Sequence, residues 1–260
     1  MSPPPHDTAP RTVLAGRRTI GYRRFGDGPP IVLLHASPRS SAALLPLGLR
    51  LAERFTVFAL DSPGFGWSDP LPLTRPDAQD YAAALIEAFG ALGLGRVPIY
   101  GSHTGAAIAV AAAAAYPKRV ACLALDGYAI FSPEEQAEFL ASYLAPITPH
   151  WDGTHLAWLW SRVKDQFTVF PWYWRAQQAR LPRPLVPLHL LQAVVLDFLA
   201  AGDNYRHALR RGLPLRSSGR TAPGARAGGR HGALRRPAVS LPGSAHRPAC
   251  LCHGAPAWHR

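Results

Sequence analysis

Between Arg18 and Gly127 the chain alternates short apolar runs with stretches of helix length, and this alternation constrains the fold more than any other feature. The segment RTIGYRRFGDGPPIVLLHASP reads as a strand ending near Phe25, a Gly/Pro turn, and a buried strand at Ile31 to Leu34. A helical stretch from about Ala42 to Arg54 leads to a strand at TVFALD, residues 56–61, and then to a helix from Asp77 to about Leu92. The strand VPIYG, residues 97–101, enters an alanine-rich helix ending at YPKRV, and ACLALDG, residues 121–127, supplies the next strand. Strands separated by helices of this length need right-handed crossovers. The pattern predicts an α/β fold: a doubly wound, mostly parallel sheet covered on both faces.

After Gly127 the pattern changes. Residues 132–200 read as helices, broken by APITPHWDG and RLPRPLVP, with eight aromatics from Trp151 to Trp174 and no strand pattern. They suggest a helical insertion over the sheet. From about Gly212 an Arg/Gly/Pro/Ala mixture shows neither period and buries too little apolar surface to offset its ordering entropy, which predicts an irregular, disordered tail. The net charge of +12 follows this division. Residues 204–260 hold eleven Arg and no Asp, Glu or Lys, whereas the remainder sets 17 basic residues against all 16 acidic ones. The basic tail lacks the aromatic interleaving of a nucleic-acid surface, so no nucleic-acid partner is expected. The opening MSPPPHDTAP has no signal-peptide pattern, and no apolar run reaches the length of a membrane span; the expectation is a cytoplasmic protein without a membrane partner. Cys122, Cys250 and Cys252 give no even disulfide framework. No phosphate-binding loop, metal-ligand cluster or nicotinamide fingerprint occurs, so no cofactor or metal is expected.

The chemistry centres on YGSHTGAAIAV, residues 100–110. A residue held at a tight strand-to-helix turn needs small neighbours two before and two after it, which Gly101 and Gly105 supply around His103. The helix N-terminus favours developing negative charge, and the Thr104 N–H is placed as an oxyanion donor.

Four motifs then occur in order: LLHASP, DSPGFGWSD, GSHTG, and YPKRV before LALDG. Through them, residues 12–211 resemble an α/β-hydrolase with a helical cap. The resemblance implies a core over 12–130, a cap over 131–211, and a basic tail over 212–260. It also implies a second oxyanion donor from the loop at His35, Ala36 and Ser37, with Ala36 standing where the family usually has glycine. The apex usually carries a serine. With His103 there, three readings stay open: His103 acts as base or nucleophile, Thr104 is the nucleophile in a register shifted by one, or the apex is a relic in a non-catalytic member. Some members take their triad acid from the position of Asp126, which either orients the His103 imidazole or caps the following turn.

Other residues have structural readings beside functional ones. Ser102 reads as a small packing residue, Asp61 and Asp69 as fixing the loop around Gly64 and Gly66, and His35 as shaping the oxyanion loop. Arg39 meets either an anionic substrate group or solvent. Trp172 and Trp174, with the other tryptophans of this region, line an apolar pocket or form the cap's own core. The expected substrate is a small apolar ester or related carbonyl compound; haloalkane and epoxide hydrolysis need an apex aspartate, which is missing. The family's late acid and histidine follow the cap, yet residues 204–260 contain no carboxylate. With suitable synonymous codons, a one-base shift from Gly212 reads as a buried strand and an acid-bearing turn, which suggests a frameshift after about Arg211.

Overall fold

The computed structural model describes residues 6–174, 176–182, 184–206 and, for the backbone, 250–252. Seven strands form one sheet: β1 (Arg11–Ala15), β2 (Arg18–Phe25), β3 (Pro30–Leu34), β4 (Thr56–Leu60), β5 (Val97–Ser102), β6 (Val120–Asp126) and β7 (Cys250–Cys252). Their spatial order is β1-β2-β4-β3-β5-β6-β7. The central pairs β3/β4, β3/β5 and β5/β6 are parallel, and the pairs towards the edges, β1/β2, β2/β4 and β6/β7, are antiparallel. The expectations for the tail lie outside the described residues except at β7, where the backbone pairs with Cys122, Leu123 and Ala124.

Strand periodicity divides the core between two faces. Along β4, Phe58 and Leu60 enter one cluster while Val57 and Ala59 enter another; along β3, Val32 and Leu34 are set against Leu33 in the same way. The first cluster packs against α2 (Ala78–Ala91) and α3 (Thr104–Ala115), the second against α1 (Leu45–Leu51). The sheet is therefore doubly wound. Helix α2 starts where Asp77 and Asp80 form a capping box, the Asp77 carboxylate accepting from the N–H groups of Gln79 and Asp80. Helix α1 is shorter than the sequence suggested and is preceded by a 3-10 turn over Ser41–Leu44. Pro46 has no N–H to donate and so fits only the first turn, which fixes the start of α1 at Leu45.

Beyond β6 lie α4 (Pro133–Ser142), α5 (Thr154–Thr168) and α6 (Leu188–Ala201). Leu159 and Val163 of α5, with Leu191, Val194 and Phe198 of α6, continue the cluster that begins on the sheet. Arg162 of α5 is 2% exposed. Its guanidinium lies 4.3 Å from the Phe198 ring centroid and 5.0 Å from that of Trp172, with Tyr143 and Tyr205 within 6 Å. Nη2 donates to the Tyr143 carbonyl at 3.3 Å, and Nε has no partner. Ring faces thus stand where a carboxylate would be expected to meet a buried cation.

Arg162→Ala empties the centre of this cage and is expected to cost about 2–4 kcal/mol, whereas Arg162→Met fills it without a charge and is expected to fall within about 1 kcal/mol of the parent. Denaturant midpoints of the two variants check this; equal losses would show that the charge, not the volume, matters.

Candidate active site

Between the end of β5 and the first turn of α3 stands the single residue His103, so the chain turns from strand to helix in one residue. His103 has φ 49° and ψ −105°, and it is the one non-glycine residue with positive φ among the described residues. The bend brings backbone against backbone. A Cβ at Gly101 would overlap the Gly105 carbonyl, and one at Gly105 would overlap the carbonyl of Leu34 at the end of β3. Only glycine permits either approach. The His103 N–H donates to the Asp126 carbonyl at 2.7 Å, tying the bend to the end of β6, and the His103 carbonyl accepts from Ala106 and Ala107 as α3 begins.

The His103 ring lies on Gly127, where a Cβ would stand 2.6 Å from Nδ1. Burial pushes this imidazole below its usual range, opposed by the Asp126 charge and a Gly127 backbone hydrogen bond. The Asp126 carboxylate accepts from the phenol of Tyr100 at 3.1 Å. Burial, and secondly the Asp126 charge, push the Tyr100 phenol up to about 12.

The loop after β3 borders the same bend. His35 is 1% exposed; its Nε2 accepts from the Ser62 N–H at 3.0 Å, so Nδ1 carries the proton given to the Ala36 carbonyl at 3.0 Å. A second proton would face the Ser62 N–H, and burial lowers the affinity for it further. The Ala36 carbonyl also accepts from the Arg39 N–H. The Ser37 N–H donates to Thr104 Oγ1 at 3.3 Å, and Ser37 Oγ donates to the Tyr205 carbonyl at 3.3 Å. Thr104 is buried, which leaves its hydroxyl facing the loop.

Arg39 meets neither a ligand group nor solvent alone: its Nε pairs with Asp197 of α6 at 2.6 Å, and Ser40 Oγ donates to the same carboxylate. The Asp61 carboxylate accepts from the N–H groups of Ser41 and Trp67, and Asp69 accepts from Thr19. Trp172 is half-buried, its Nε1 donating to the Tyr143 carbonyl at 3.2 Å beside Arg162, while Trp174 is 41% exposed. A cleft lined by Leu60, Asp61, Ser62, Tyr81, Leu85 and Ile108 lies on the α2 side, and none of its lining residues belongs to the bend. Sequence reasoning missed Tyr100, Gly127, Asp197 and Tyr205. Tyr100 had one available signal, since it shares a strand face with Ser102 three residues before the apex. Among the described residues, no group of three or more His, Cys, Asp or Glu converges on a metal position, and no helix is long and apolar enough to cross a membrane.

A family profile described as "alpha/beta hydrolase fold" matches residues 29–207. Among curated proteins, the chain is 37% identical over 131 residues to 2-(acetamidomethylene)succinate hydrolase of Mesorhizobium japonicum, covering 50% of this chain and 45% of that protein. It is 37% identical over 116 residues to 2-hydroxy-6-oxononadienedioate/2-hydroxy-6-oxononatrienedioate hydrolase 2 of Pseudomonas putida, covering 42% and 40%. The matched region thus spans less than half the length of either relative. Among solved structures, epoxide hydrolase A of Mycobacterium thermoresistibile superposes with a TM-score of 0.59 at 18% identity, over 78% of this chain and 75% of that one, a likeness of fold.

Both His35 and His103 bind protons less readily than a free histidine, whose pKa is about 6.5. The unfolded chain then takes up protons that the folded chain refuses, so stability is full above about 6.5 and falls as pH drops from there towards the two folded values. The urea midpoint is expected to decrease from about pH 7 to about pH 5, and less steeply in His35→Asn. A flat wild-type profile contradicts this.

Proposed function

The chain belongs to the α/β-hydrolase fold family, and on that premise we propose that it hydrolyses a small carbonyl compound, an ester or a related acyl derivative, with His103 as the working residue of the elbow. The observation that carries this reading is the positive φ of His103 at the start of α3, wedged between Gly101 and Gly105. A histidine in that conformation stores backbone strain that the surroundings must offset, and such strain gathers at functional sites. The neutral imidazole can take a proton from water as the water oxygen adds to the carbonyl carbon. The negative charge that develops on the carbonyl oxygen meets the Thr104 N–H at the helix N-terminus and, once Thr104 Oγ1 yields it, the Ser37 N–H. The imidazolium then returns its proton to the leaving group. Asp126 favours the protonated imidazole in mid-reaction by its charge. The helices after β6 serve as a cap in this reading, with Trp172 and Trp174 offering apolar surface to the substrate. The two curated hydrolases described above are named for substrates that carry carbonyl groups, which agrees with this reaction class.

A second reading, a binding protein of the family without turnover, is favoured by one observation: Tyr100, not the imidazole, holds the Asp126 carboxylate. Hydrolysis of a short-chain p-nitrophenyl ester separates the two. Turnover that falls at least about 100-fold in His103→Ala supports the base. Turnover unchanged in that variant removes His103 from the reaction, and binding without turnover in the parent favours the second reading.

A further inference from the structure

At the C-terminal ends of β5 and β6, three polar side chains share one face of the sheet. Tyr100 and Ser102 are two apart on β5, and Asp126 is the register partner of Ser102 on β6. The Asp126 main chain binds His103, through the carbonyl at 2.7 Å, whereas its carboxylate binds Tyr100 at 3.1 Å. The residue therefore serves two neighbours with different groups. A phenol bonded to a carboxylate is a charge-assisted donor that fixes the carboxylate's orientation and occupies one of its oxygens. Burial and the Asp126 charge hold the Tyr100 phenol up at about 12, so it stays a donor throughout the working range of an enzyme.

An imidazole that removes a proton must itself begin without one, and a carboxylate bonded directly to it favours the protonated ring. The Asp126 charge favours the protonated His103 ring, a Gly127 backbone hydrogen bond acts in the same direction, and Ser102 bonds to Tyr100. Control of this carboxylate is control of the apex. We propose that Tyr100 is a positioning residue that captures the Asp126 carboxylate and keeps it from pairing with the His103 imidazole, so that the apex side chain rests as a neutral base. The proposal rests on the reading of His103 as the working residue, but it is tested without substrate.

In protein labelled at histidine, the His103 ring is followed by NMR through a pH titration, with His103→Asn supplying the assignment. In Tyr100→Phe the freed carboxylate turns to the imidazole, and the His103 midpoint is expected to rise by about one pH unit. In Tyr100→Phe/Asp126→Asn the rise disappears. An unchanged or lowered midpoint in Tyr100→Phe, or a rise that survives in the double variant, overturns the proposal. Asp126→Asn alone is a second arm should Tyr100→Phe fail to fold: the ultraviolet titration of Tyr100 should move down from about 12, and an unmoved phenol counts against the pair. Absence of ester turnover with these shifts present would sink the hydrolase reading and leave the Tyr100–Asp126 device standing; turnover without the shifts would do the reverse.

Discussion

Helix α3 begins so close to the end of β3 that its third backbone group, counted from the apex, touches the Leu34 carbonyl, and no side chain fits between them. That approach is the condition on which the rest of the site depends. It forces glycine at 105, the Gly105 carbonyl in turn forces glycine at 101, and His103 takes positive φ where the chain passes from strand to helix in one residue. It also aims the start of the helix at the carboxyl ends of β3, β5 and β6, where open α/β sheets place their ligands. The alanines of α3 belong to the same constraint: Ala106, Ala109 and Ala112 are fully buried, and larger residues would lift the helix off the sheet.

The local rules of the fold were legible in the sequence. Strand positions followed from runs such as VFAL and IVLL, the helix from Asp77 to about Leu92 was read in nearly its observed place, and the bend followed from two glycines four apart. These features are written over a few neighbouring residues, so a linear reading captures them. What escaped depends on contacts made at long range. Arg39 looked solvated or ligand-binding because its partner Asp197 lies 158 residues further along. Arg162 was not singled out at all, because its cage is assembled from Tyr143, Trp172, Phe198 and Tyr205 on separate segments. Asp126 was identified as a neighbour of the apex, but its phenolic partner was hidden inside an apolar strand.

Both histidines near the bend are kept neutral, by different means. In His35 two main-chain groups specify one tautomer, so the ring acts as a fixed strut between the ends of β3 and β4. In His103 burial works against a nearby carboxylate, and the balance is more easily moved. One imidazole is therefore committed to holding the loop, and the other retains a proton affinity that its neighbours can adjust. The division agrees with their surroundings, since His35 is sealed and His103 is not.

The loop from Ser37 to Ser40 is fastened to the helical layer at three points: Ser37 to Tyr205, and Arg39 and Ser40 to Asp197. The N–H of the same Ser37 reaches Thr104 at the foot of α3. Helix α6 and a backbone donor beside the apex are thus held by one short loop. Were a ligand that displaces α6 to change the affinity of the Ser37 N–H for an anion, the anion would change that ligand's affinity by the same factor.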